Sequence, residues 1–323
     1  MRHARRRAAG RGRARARRRR RHPHRGSRRG RRTRARRARP VARRRPRTGA
    51  AVQLGDDREP DGRHLPEARV KVSAVVVSHG HAAELAHSLP ALAPQVDELL
   101  LIANTPGSVP AELPDGVRVL ENERPLSFAA NANLGAGQTA NELVLVANPD
   151  AIPAPDAVAV LRDFMEARPR CGVTGPRMLY EDGTWQASRR SFPTVGATLV
   201  RRTPLRLLFP PLRWQRKHYL LDDRPQEPVQ TDTMLGAFLL MRRTMLEEIG
   251  GWDPGFRMYC EDIDLNYRAA KAGWERWYVP AAVVRHEYAA VIDKRFFTRH
   301  TLWHARAMLR FLRKHPERLL ALR

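Results

Sequence analysis

Three carboxylates crowd one point of the chain. In MYCEDIDLNYRAAKAGW, residues 258–274, Glu261, Asp262 and Asp264 stand within four positions and lead into a stretch with helical spacing. Such a group fits a calcium loop, helix-start electrostatics, or a catalytic base at the lip of a pocket. The calcium loop begins well, with Asp262, Asp264 and Asn266 at alternate positions. It fails at the sixth, Tyr267 where glycine is needed, and at the twelfth, Gly273 where glutamate is needed. Helix-start chemistry works, because acids favour the positive end of the helix dipole and Asp264 can pair with Arg268 one turn on. At roughly 100° per residue, Asp262 and Asp264 point to nearly opposite sides of that helix. They cannot serve one purpose, so Asp264 takes the structural role and Asp262, beside Glu261, is left to face a pocket.

Other residues could carry chemistry. In VLVANPDAI, Asp150 follows an apolar run, which delivers a carboxylate of the kind that holds a hard divalent cation on a diphosphate. Asn-Pro-Asp is equally a good turn former. His79 and His81 stand two apart in SHGH, a spacing that loop chemistry uses more often than a metal. His286 closes the run VPAAVVRH, and its value depends on what lies near it. Gly135-Ala136-Gly137 lacks the third glycine and the preceding strand of a dinucleotide fingerprint.

The elements that must position these groups alternate. VKVSAVVVSHG (70–80), DELLLIAN (97–104), GVRVLEN (116–122) and ELVLVANPD (142–150) read as strands; AAELAHSLPAL, FAANANLGAGQ and APDAVAVLRDFMEARP read as helices. This order calls for a mostly parallel sheet covered by helices, with ligands beyond the carboxyl ends of the strands. The candidate ends are Ser78-His79, Ala103-Asn104, Glu121-Asn122 and Asn148 to Asp150. Residues 191–229 are rich in Pro and Arg and read as irregular or weakly helical. MLGAFLLMRR (234–243) restores a strand, TMLEEIGG a short helix, and WYVPAAVVRHEY a last strand. From about residue 294 the chain is helical, with Phe297, Leu302, Trp303, Met308, Leu309 and Leu312 among bases; it packs on the domain or lies on a membrane surface.

The formal charge of +27 is not spread along the chain. Residues 1–50 hold 25 Arg and neither Asp nor Glu, so the remainder is nearly neutral. Residues 1–66 therefore read as a disordered Arg-rich tail ahead of a single domain over 67–323. Two explanations fit the tail. It is an arm for nucleic acid or an anionic membrane, or GC-rich upstream DNA read as protein, with a start near Val52 or Val70. The absence of interleaved aromatics disfavours nucleic acid as a partner. Two cysteines, Cys171 and Cys260, build neither a disulfide framework nor a zinc site, and no run reaches the roughly 18 apolar residues of a membrane span. The expected location is cytoplasmic, or peripheral at the inner face of the plasma membrane.

Taken in order, VSAVVVSHG, LSFAANANLG, LVLVANPDAIPAPDAV, GVTGPRMLYEDGTWQASRRSFPT, the run Met234–Trp274 and YVPAAVVRHE resemble family 2 glycosyltransferases, above all the bacterial rhamnosyltransferase-like members that build cell-surface glycans. The resemblance covers about 70–315. It implies a GT-A-like α/β/α sandwich with a mostly parallel, mixed central sheet. It further implies a nucleotide-diphosphate sugar donor such as dTDP-rhamnose or a UDP-sugar, a glycan or polyprenyl-linked acceptor, inversion at the anomeric carbon, and Mn²⁺ or Mg²⁺. Carried over by position, Asp150 and His286 are metal ligands and Asp262 is the base. Ser78, His79, Asn104, Asn133 and Asn148 lie on the donor side, and Gly236 and Glu261 on the acceptor side. Arg189 and Arg190 precede FP where the family often has bases, which suits diphosphate contact or a surface role. The chain departs from the family at Ala103, where an Asp usually holds the nucleotide, at SHG in place of SYN, and at Asn148 in place of an acid. Other readings are an inactive relative and a nucleic-acid-binding protein acting through the arm. A sugar-1-phosphate nucleotidylyltransferase would need a Gly-rich basic loop that SHGHAAEL does not supply.

Overall fold

The computed structural model describes residues 69–193, 213–287 and 299–319; the tail and the start of the domain lie outside them. The first strand, β1 (Val72–Ser78), is buried along its whole length, as an unbroken β-branched run requires when both faces of a sheet are covered. After α1 (Ala82–Leu92) come β2 (Glu98–Ala103) and β3 (Val117–Glu121). Next are α2 (Phe128–Gly137), β4 (Leu143–Ala147), β5 (Ala151–Pro153), α3 (Ala157–Glu166) and β6 (Cys171–Leu179). Two short strands, β7 (Trp185–Gln186) and β8 (Arg189–Arg190), precede α4 (Arg213–His218), β9 (Val229–Gln230), β10 (Thr233–Met234) and β11 (Phe238–Arg242). Then follow α5 (Arg243–Ile249), α6 (Glu261–Lys271), β12 (Glu275–His286) and α7 (Arg299–Lys314).

The main sheet runs in the order β3-β2-β1-β4-β11-β6-β12-β5, in which β11 and β5 oppose the others, and the short strands β7 and β9 add antiparallel to β6 and β12. The expected mostly parallel, mixed sheet is what forms. Alternate residues of β1 feed two cores. Ala74 and Val76 join Leu85, Leu89, Val158 and Leu161 of α1 and α3 on one face. Val75 and Val77 join Ala129 and Ala132 of α2, Met245 of α5 and Leu265 of α6 on the other. Period-2 alternation in a strand therefore yields three layers. Gly135 finds its purpose here: a Cβ would lie 2.3 Å from Val75 Cγ1, so the glycine lets α2 lie tightly on β1 rather than cradling a phosphate.

Three expectations are refined. The single strand read at 234–243 is two strands, β10 and β11, broken over 235–237. The strand β6 and the short strands β7, which pairs with β6, and β8, which pairs with β10, carried no clear pattern and were not anticipated. In the C-terminal segment α7 begins at Arg299, while Phe297 lies outside the described residues. One face of α7 packs on the domain: Ala307, Met308 and Phe311 are buried with Phe256, Cys260 and Tyr267. No helix among the described residues is long and apolar enough to cross a membrane.

Candidate active site

The break in the 234–243 run is the hinge of the site. Gly236 and Ala237 sit where β11 starts against the carboxyl end of β4, with Phe238 opposite Ala147. The Gly236 N–H donates to Asp262 Oδ2 at 3.1 Å, and the Ala237 carbonyl accepts from the Asn148 N–H at 2.8 Å. Two adjacent residues thus tie the start of α6 to the ANPD turn. Glycine eases this approach: a Cβ on Gly236 would lie 3.1 Å from the Cβ of Asp262, so a larger residue needs Asp262 to give by a few tenths of an ångström.

On the α6 side, the chain enters the helix through two left-handed non-glycine residues, Tyr259 (φ 73°) and Cys260 (φ 65°). Each costs on the order of 1–2 kcal/mol. The strained entry sets Glu261 and Asp262 in the first turn without a side-chain cap. Asp262 Oδ1 accepts the Ile263 N–H at 2.8 Å, and Asn266 Nδ2 donates to the Asp262 carbonyl at 2.8 Å. Burial raises the pKa of Asp262. The Arg190 charge and the N–H groups of Ile263 and Gly236 pull it back down. Glu261 has no such support: Oε2 is sealed from solvent with no hydrogen-bond partner, and burial followed by the Asp262 charge pushes it up to about 8. Of these two neighbouring carboxyls, Asp262 is the one whose negative charge is answered, by Arg190 and two backbone N–H groups, while burial and the Asp262 charge favour the protonated form of Glu261.

The neighbouring corner is built from strand ends. His286, the last residue of β12, places Nε2 3.4 Å from Asp150 Oδ1, while the Asn148 amide stands 3.5 Å from the same nitrogen. The other ring nitrogen, Nδ1, lies 3.1 Å from Oε1 of the buried Gln186. An amide oxygen only accepts, so Nδ1 carries a hydrogen, and Nε2 is the ring nitrogen that faces the Asp150 carboxylate and the Asn148 amide. Two electron-pair donors facing each other at that distance suit a divalent cation, with Gln186 as the outer group that fixes the ring. Among the described residues no cluster of three or more His, Cys, Asp or Glu forms, so a cation here would take its remaining ligands from substrate and water, as Mg²⁺ and Mn²⁺ commonly do.

The structure therefore joins Asp150, His286, Asn148, Gly236, Glu261 and Asp262. The remaining donor-side residues act differently. Asn104 is fully buried and fixes the loop before α2: its Oδ1 accepts from Asn122 Nδ2 at 2.7 Å and the Leu126 N–H at 2.8 Å, and its Nδ2 donates to the Leu126 carbonyl at 3.0 Å. Asn133 clamps α2 to residue 252, donating to the Trp252 carbonyl at 2.7 Å and accepting its N–H at 2.8 Å. Ser78 is buried, its Oγ accepting the His81 N–H at 3.1 Å. These three shape the floor. His79 is exposed above Asn104, its pKa lowered by partial burial and by His81.

Arg189 and Arg190 separate by strand alternation. Arg189 is buried, ion-paired to Asp223 and set over the Tyr278 ring. Arg190 takes the opposite face of the β8–β10 ribbon, where its charge reaches Asp262 and its buried Nε has no partner. Sequence reading missed Gln186, although it lies inside the quoted GVTGPRMLYEDGTWQASRRSFPT stretch. The alternation in Arg189-Arg190 was the available signal for assigning the pair.

Residues 107–310 match the family model described as glycosyltransferase like family 2. Among curated proteins, the chain is 35% identical over 153 residues to the N-acetylglucosaminyl-diphospho-decaprenol L-rhamnosyltransferase of Mycobacterium tuberculosis, covering 46% of this chain and 48% of that protein. It is 38% identical over 92 residues to rhamnosyltransferase WbbL of Escherichia coli K12, covering 27% of this chain and 34% of that one. The matches thus span about half or less of these relatives. Among solved structures, GalNAc-T7 with UDP, GalNAc and Mn²⁺ superposes with a TM-score of 0.51 at 18% identity, over 69% of this chain and 44% of that one, which shows a shared GT-A fold.

Proposed function

The chain belongs to glycosyltransferase-like family 2, and from that premise we propose that it moves a sugar from a nucleotide-diphosphate donor to a hydroxyl of a lipid-linked or cell-envelope glycan, with inversion. The observation that carries the reading is the Gly236-Ala237 link, which sets the Asp262 carboxylate beside the Asp150–His286 corner. The relatives named above suggest rhamnose as the sugar and a sugar-diphospho-polyprenol as the acceptor. The first donor to test is dTDP-rhamnose, with UDP-sugars second.

In this mechanism Asp262 takes the proton of the acceptor hydroxyl as its oxygen bonds to the anomeric carbon and the bond to the departing diphosphate breaks. The raised pKa of Asp262 makes it a stronger base than an ordinary carboxylate. The N–H groups of Gly236 and Ile263 hold it in one orientation. Burial favours the protonated form of Glu261, which leaves Asp262 as the carboxylate that receives the proton. Attack by the acceptor oxygen opposite the departing diphosphate is a single displacement and inverts the centre. Asp150 and His286 would hold Mn²⁺ or Mg²⁺, which when bound supplies positive charge to the leaving diphosphate. His79, exposed at the end of β1, is the side chain of that strand end free to meet the nucleoside.

The test is a thermal-melt series of the full chain with dTDP-rhamnose, UDP-sugars and free nucleotides, each with and without Mn²⁺. Stabilisation by one donor that depends on metal is expected. A melting temperature unmoved by every nucleotide sugar would sink the reading.

A further inference from the structure

The helix α7 has two working faces. One is packed: Ala307, Met308 and Phe311 enter the core formed with α6. The same face is anchored by charge, with Lys314 3.0 Å and His315 2.8 Å from Asp264, and Arg310 3.0 Å from Asp253. The opposite face is exposed and carries two stripes. Leu302 and Leu309 are 51% and 48% exposed and lie seven residues apart, nearly in line. Beside them run Arg299, Arg306 and Arg313, also at intervals of seven and all exposed. None of the three has a carboxylate partner among the described residues, and the helix contains no Asp or Glu.

From this pattern we infer that the outer face of α7 is a docking surface for an anionic lipid bilayer, with Leu302 and Leu309 entering the interface and the three arginines on the head groups. The charge decides the occupant. A second copy of the same face would bring cationic stripes together, and a nucleic acid would leave the leucines in water. An anionic bilayer takes both stripes at once. The helix lies along the surface, since no described helix spans a membrane. The inference deepens the proposed function: Asp264, which anchors α7, is two residues from Asp262 on α6. Docking would therefore hold the base at a fixed place relative to the membrane carrying a lipid-linked acceptor.

The test must separate α7 from the Arg-rich segment 1–50, whose 25 Arg and lack of acids would attract anionic vesicles by charge alone. An environment-sensitive fluorophore is placed on the Ala305→Cys variant of the full chain; Ala305 is exposed beside the leucines, and both native cysteines are buried. With phosphatidylglycerol vesicles the emission should shift to the blue and be quenched by brominated acyl chains; phosphatidylcholine alone should do neither. Leu302→Ser with Leu309→Ser should abolish the shift while the chain still sediments with vesicles. Replacing Arg299, Arg306 and Arg313 by Ser should weaken the label's vesicle response about a hundredfold, from about 1 kcal/mol per basic residue. The inference falls if the label is silent while the chain sediments, if the leucine variant shifts as before, or if duplex DNA gives the same shift. Circular dichroism melts check that the variants fold, as expected for surface changes. Transfer to a short water-soluble acceptor is measured in parallel. Its absence in the unsubstituted chain would count against glycosyl transfer and leave the docking result standing.

Discussion

Asp262 and Asp264 stand two residues apart on one helix and live in different chemistry. Asp264 is fully buried and answered by two cations, Arg268 at 2.7 Å and Lys314 at 3.0 Å, and by the His315 ring at 2.8 Å. Its charge is consumed in fastening α6 to α7. Asp262 faces the other way, toward Gly236, where its oxygens meet backbone N–H groups and the charge of Arg190 rather than a close ion pair. Its charge stays available at a raised pKa. Burial alone does not make a carboxylate reactive or structural; the groups that answer it do.

That contrast can be broken at several points. The largest effect belongs to Asp262→Asn: transfer should fall by about 10²–10⁴-fold, the usual worth of a general base, with the melt and donor binding unchanged. Full activity in this variant would end the base assignment. Asp264→Asn should do the reverse. Two cations and the His315 ring then lose their carboxylate, and chemical denaturation should show a loss of about 3–5 kcal/mol, while the fraction that folds keeps its rate. Gln186→Leu frees the His286 ring, and metal affinity measured by titration should drop about 10–100-fold. Gly236→Ala pushes a methyl against Asp262 and removes nothing else, so a rate loss of about tenfold with a cost of about 1–3 kcal/mol is expected.

The smallest effect is on pH dependence. Glu261 has a folded-state pKa raised from 4.5 to about 8, so the folded chain binds the extra proton. Its contribution to stability is complete below about 4.5 and is lost as pH rises toward about 8. Urea melts should therefore weaken across that window, and Glu261→Gln should flatten the slope. Activity should rise with pH as Asp262 loses its proton; a profile that falls there would reverse the roles of the pair.

The alternating apolar runs, the strand ends and the acids at the start of α6 were legible because each depends on local periodicity. The opposition of Asp262 and Asp264 followed from the helical repeat alone, and so did the Asp264–Arg268 pair. Asn104 and Asn133 show where that legibility stopped. Both sit beside plausible ligand-binding ends, yet their amides are taken by Asn122, Leu126 and Trp252, partners that no spacing announces. Gln186 lies 100 residues from His286 in sequence, and the break at Gly236 was hidden inside an unbroken apolar run.

What the sequence determined by itself was the alternation of strands and helices up to α3, the family, and which residue types could supply a base and a metal pair. Tertiary structure alone decided the pairing across the sheet edge: that Gly236 would donate to Asp262, that Gln186 would turn His286 toward Asp150, and that Lys314 from α7 would close on Asp264. The reason is physical. Periodicity fixes which face of an element a side chain occupies, but a charge or a lone pair acquires its chemistry from neighbours, and those arrive only when distant segments pack.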